Sequence, residues 1–137
     1  MIARFSHLCV YVLDQEEALT FYRDKLGFEV RMDVTMDNGF RWLTVGPKAQ
    51  PELSLILCAI REGFAMDAAK AASLRSLVQS GCLGVAVMEV DDCRATYEEL
   101  RARGVKFKSE PAERHYGIEA VMVDNSGNWF SMVQRRK

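Results

Sequence analysis

Few residues of this 137-residue chain have side chains suited to chemistry. His7 lies in Arg4-Phe-Ser-His-Leu-Cys-Val-Tyr-Val-Leu13, a β-branched and aromatic run that predicts a strand. Its imidazole could transfer a proton near neutral pH or hydrogen-bond a ligand; equally, a strand histidine can simply be satisfied by a neighbour. His115, in Arg114-His-Tyr-Gly117, reads as a solvated loop residue. Glu52 and Glu119 are acids in otherwise apolar strands. Buried, either would need a partner or carry a raised pKa and could act as a base. Solvation is the expectation for Glu52, which follows Pro51, while Glu119 stays open. Trp42 and Trp129 could wall a planar ligand, or could pack in a core or dimer interface. One member of each Phe40/Trp42 and Trp129/Phe130 pair is expected to face a cavity and the other the helices.

Several chemistries lack their signatures. Ser54 and Ser131 sit in no Gly-x-Ser-x-Gly elbow. Cys9, Cys58, Cys82 and Cys93 form no Cys-x-x-Cys pair, so zinc-finger and thioredoxin-like readings fail. Reduced, mostly buried thiols are expected, with Cys9 and Cys58 packing in strands. No glycine-rich phosphate loop is present. With 18 basic and 19 acidic residues, the net charge of −1 makes no case for nucleic acid or an anionic membrane. No apolar run reaches the roughly 18 residues of a membrane span, and the start does not read as a signal peptide. A cytoplasmic location is expected. A composition 49% hydrophobic and 27% charged excludes disorder and fits one domain, 1–137.

The elements that must position these residues repeat. After the first strand, Asp14 is a helix N-cap, followed by Ala18, Leu19, Phe21, Tyr22 and Leu26, with a stop at Gly27. Strands follow at 28–34, 40–45 and 53–60, the first two joined by the hairpin signal Asp37-Asn38-Gly39. Asp67 caps a connector helix that ends at Gly81. A strand at 85–90, a helix begun by Asp91-Asp92 and stopped at Gly104, and a short strand at 105–108 come next. A loop at 110–117 and strands at 118–123 and 128–134 complete the chain. Val12-Leu-Asp14 and Val90-Asp-Asp92 stand about 78 residues apart, as do Val45 and Val123. The reading is α+β: two tandem βαβββ modules, 1–60 and 83–137, around a connector, 61–82. Each has a sheet face that needs cover.

This duplication resembles the vicinal oxygen chelate superfamily of glyoxalase I, extradiol dioxygenases and the fosfomycin- and bleomycin-resistance proteins. The resemblance rests on His7 before Val12-Leu-Asp14 and on Ala18-Leu-Thr-Phe-Tyr-Arg-Asp-Lys-Leu-Gly-Phe28. It rests also on Tyr97-Glu-Glu-Leu-Arg-Ala-Arg-Gly104, Tyr116-Gly117 and Val123-Asp-Asn-Ser-Gly-Asn128, with Asn125 where the family usually has proline. It implies curved mixed sheets around a cavity, with Tyr116 in a loop that closes over it. Metal-using members place four ligands there, on the first and last strands of each module. The matching positions are His7, Ser54 (with Glu52 two residues before it), Val85 at the same 78-residue offset, and Ser131. One imidazole with two hydroxyls and a valine is a poor set for a divalent metal.

The expectation is therefore a small-molecule binder without metal or other cofactor.

 Its ligand is a small organic molecule, planar or aromatic, held by His7, Trp42, Glu52, Ser54, Val85, Tyr116, Glu119, Trp129 and Ser131. The resemblance implies a homodimer, suited to twofold contact. The alternative is an enzyme of lyase, isomerase or dioxygenase type. It would use His7 with Glu52 around a metal, or His7 with Glu119 or Tyr116 in acid–base chemistry.

Overall fold

The computed structural model describes residues 1–137, which divide into two compact units, Met1–Ser76 and Leu77–Lys137. The first contains β1 (His7–Val12), α1 (Gln15–Thr20) prolonged by a π-helical turn (Phe21–Lys25), β2 (Glu29–Thr35), β3 (Arg41–Gly46) and β4 (Ser54–Ala59). The division falls inside α2 (Ala68–Ser80). The second unit contains β5 (Gly84–Glu89), α3 (Cys93–Ala102), β6 (Lys106–Arg114), β7 (Gly117–Val123) and β8 (Trp129–Arg135). The sheet orders are β1-β4-β3-β2 and β5-β8-β7-β6. In each, the first strand runs parallel to the last and the other pairs are antiparallel. The βαβββ duplication read from the sequence is thus the architecture. None of the helices is long and apolar enough to cross a membrane.

Local chemistry sets the element ends. Asp14 accepts the Glu17 N–H at 2.9 Å, and Asp92 accepts the Ala95 N–H at 3.0 Å. These aspartates satisfy amides that have no partner inside the first turn. Gly27 and Gly104 follow the two helices at φ +74° and +89°, a backbone region costly for other residues. Strand alternation then sorts the faces. Val10, Val12, Leu43, Val45 and Leu57 are buried together with Ala18, Leu19, Phe21 and Tyr22 of the helical segment. In the second unit Ala120, Met122, Phe130 and Met132 are buried with Cys93, Tyr97 and Leu100. Full burial of each large apolar side chain stabilises by about 1.5–3 kcal/mol.

Two expectations need correction. The segment 110–117 is not a loop: β6 runs on to Arg114, pairing Ala112 with Glu119 and Arg114 with Gly117. Pro111 is tolerated because β6 is the sheet edge and its register shifts between Ser109 and Ala112. Only His115 and Tyr116 remain to turn the chain. The cysteines of β1 and β4 are not separate core thiols either. Cys9 and Cys58 are paired as a disulfide, with Cα atoms 6.4 Å apart, and Cys9 is exposed.

Candidate functional site

In the first unit, the strand positions alternating with the buried core residues carry His7, Cys9, Tyr11, Ser54, Ile56, Cys58, Trp42 and Thr44 on the face away from the helix. Register sets His7 directly beside Ser54, which is only 8% exposed. The His7 and Trp42 rings lie 5.6 Å apart between centroids, inclined at 50°. Phe40 joins them, 6.4 Å from Trp42. The Ser6 hydroxyl lies 3.0 Å from His7 Nδ1. Phe40 and Trp42, two residues apart, therefore share a side rather than dividing between cavity and helix. Glu52 lies in the turn before β4 and is exposed, so strand alternation does not reach it.

Arg31, which residue-type reasoning passed over, shapes that turn. Its guanidinium donates to the carbonyls of Pro47 and Pro51, both at 2.8 Å, and to Gln50 at 3.2 Å. The chain leading into Ser54 is thereby held from β2. Its only sequence signal was an arginine in an otherwise alternating strand.

In the second unit, Ser131 of β8 is registered between Val121 of β7 and Val87 of β5. Val85, reached by the 78-residue offset, falls instead at a register shift between Gly84 and Ala86. The Ser131 hydroxyl donates a hydrogen bond to Glu119 Oε2. The Tyr116 hydroxyl also donates to Glu119, and Arg114 Nε stands 3.8 Å from Oε1. The Ser131 bond, then the Tyr116 bond and the Arg114 charge, hold the Glu119 carboxyl below its ordinary range against the opposing effect of burial. The same carboxylate raises the Tyr116 phenol. Glu119 is therefore an ionised acceptor at neutral pH and a weak base.

Trp129 divides from Phe130 as the alternation requires, for Phe130 is fully buried and Trp129 partly exposed. The indole lies against Gly84, where an added Cβ would meet Cζ2 at 2.3 Å. His115 stacks edge-on to Tyr116, with centroids 5.0 Å apart.

The residues present do not fit a resident metal. No group of three or more His, Cys, Asp or Glu side chains is arranged to hold one. His7 has a serine, not a carboxylate or second imidazole, beside it on β4.

Comparison with known proteins gives this arrangement a lineage. The profile of the Glyoxalase/Bleomycin resistance protein/Dioxygenase superfamily matches residues 4–132. YurT of Bacillus subtilis (strain 168) is 35% identical over 127 residues, covering 92% of this chain and 94% of YurT. The crystal structure of UcmS2 is 48% identical, with a TM-score of 0.93, covering 98% of this chain and 99% of that one. That of TnmS3, an antibiotic binding protein from Streptomyces sp. CB03234, is 28% identical with a TM-score of 0.75, covering 98% of both chains. The chain belongs to the glyoxalase/bleomycin resistance protein/dioxygenase superfamily.

Proposed function

We propose that this protein binds a planar aromatic small molecule without using a metal. The observation that carries this reading is the open aromatic group of His7, Trp42 and Phe40 on a sheet face with no metal-holding cluster. Rigid aromatic rings offer large contact area to a flat ligand at little conformational cost. In the second unit, Glu119, braced by Ser131 and Tyr116, offers an ionised acceptor to a ligand hydroxyl or amine. The likeness to TnmS3, described as antibiotic binding, supports sequestration over turnover. The same reading places the protein in the cytoplasm as a homodimer. Met32, Val34 and Val87, 49%, 48% and 60% exposed, are apolar surface that a second copy would cover.

The enzyme alternative has less support, because an ionised, low-pKa Glu119 is poorly suited to abstract a proton. The test is titration of purified protein with a library of planar aromatic compounds, read by tryptophan fluorescence and calorimetry, before and after chelation. Saturable binding that survives chelation, and falls at least about tenfold in Trp42→Ala, is expected for a stacking contact of about 1.4 kcal/mol or more. Binding that requires added metal, or conversion of the bound compound, would overturn the reading.

A further inference from the structure

We propose that Cys9 and Cys58 form a reversible thiol–disulfide site on the aromatic face of the first unit, taking low-molecular-weight disulfides as its oxidant. Register pairs Cys9 with Ile56 and Tyr11 with Cys58, so the two cysteines are diagonal neighbours on the adjacent parallel strands β1 and β4. Their Cα separation of 6.4 Å lies within the span a disulfide bridges. Both alternate with the buried Val10 and Leu57, so both thiols point to the helix-free side. Cys9 is exposed and Cys58 half-buried, which leaves one sulfur open to attack and the other poised to resolve it.

The remaining cysteines lack this combination. Cys93 is fully buried, and burial raises its thiol pKa. Cys82 is exposed but has no partner sulfur.

The chemistry balances without a further reactant. The Cys9 thiolate attacks one sulfur of a disulfide RSSR, forming a mixed disulfide and releasing RS⁻. The Cys58 thiolate then displaces the second RS⁻ and closes the Cys9–Cys58 bond. The protons lost by the two cysteines go to the two released thiols, RSSR is reduced to 2 RSH, and the dithiol is oxidised. Excess thiol reverses both steps. Because His7 lies two residues before Cys9 on the same face, closure joins β1 to β4 directly beside the His7–Trp42 ring pair. The site is independent of any ligand the face binds.

The test uses the full chain, equilibrated in glutathione buffers of graded oxidised fraction, acid-quenched and alkylated with N-ethylmaleimide after denaturation. Intact mass and peptide mapping count the thiols. The expected result is four alkylated cysteines in reducing buffer and two, Cys82 and Cys93, in oxidising buffer. A linked Cys9–Cys58 peptide should accompany the change and disappear with dithiothreitol. In Cys58→Ser, Cys9 should stop at the glutathione mixed disulfide. Four reactive thiols at every ratio, a cross-link through Cys82 or Cys93, or a mixed disulfide persisting on wild-type Cys9 would each overturn the proposal.

Discussion

Replacing Asp124 by alanine should remove the structural centre of the β7–β8 turn. Asp124 Oδ1 accepts the backbone N–H groups of Ser126 at 2.9 Å and of Gly127 and Asn128 at 3.0 Å. Its Oδ2 accepts the Asn128 side-chain amide at 3.0 Å. Asp124, Ser126 and Asn128 are 5%, 3% and 2% exposed, so water does not readily replace the carboxylate. Gly127 retains a 3.3 Å bond to the Asp124 carbonyl, but the Ser126 and Asn128 amides lose the carboxylate acceptor. At about 1–3 kcal/mol for each buried donor left unsatisfied, Asp124→Ala should cost about 3–5 kcal/mol, a large part of a domain's stability. Asp124→Asn keeps the Oδ1 acceptor and sets an amide against the Asn128 amide, so it should cost about 1–2 kcal/mol. Urea unfolding in a Trp42→Phe background leaves Trp129, next to the turn, as the sole tryptophan reporter. A loss below about 1 kcal/mol for the alanine variant, or equal losses for both variants, would refute the assignment of this stability to the carboxylate's hydrogen bonds.

Other outcomes follow from the same geometry. The Glu119 carboxyl is held below its ordinary value of 4.5, so its contribution is complete above that pH and fades as pH falls through the lower folded value. Melting curves of wild type and Glu119→Gln should therefore converge on acidification; a gap that stays constant from about pH 7 to about pH 3 contradicts the shift. Arg31→Ala strips three turn carbonyls of their shared donor and should cost about 1–3 kcal/mol, with Arg31→Lys recovering only part because an ammonium lacks the planar fork. Thermal melts that rank lysine with arginine would remove the geometric explanation. Gly84→Ala sets a Cβ into the Trp129 ring and should cost about 1–3 kcal/mol. Combining it with Trp129→Phe should cost less than the two changes added together, and strict additivity in a double-mutant cycle would count against the contact.

Much of the fold was legible because its signals are local. Asp14, Asp67 and Asp92 each cap a helix through an amide three residues ahead. Asp37-Asn38-Gly39 turns the β2–β3 hairpin, with Gly39 at φ +86° and the Phe40 N–H donating to the Asn38 side chain. Pairs of such signals about 78 residues apart disclosed the repeat. The site was less legible. Glu119 could be named as an acid in an apolar strand, but its partners Ser131 and Tyr116 depend on how β7, β8 and the 115–116 turn pair. Pro111 read as a loop residue because its lack of an N–H is penalised in most strands, and only the edge position of β6 removes that penalty.

The residue order alone determined the two βαβββ modules, their caps and turns, and the poverty of metal ligands, since each depends on residue type and on neighbours a few positions away. Tertiary structure decided the rest: Val87 rather than Val85 beside Ser131, His7 leaning on Trp42, and Cys9 diagonal to Cys58. Those relations are matters of strand register, where a one-residue slip sends every side chain to the other face. Register is chosen by the summed pairing and packing of whole strands, and no short stretch of sequence carries that sum.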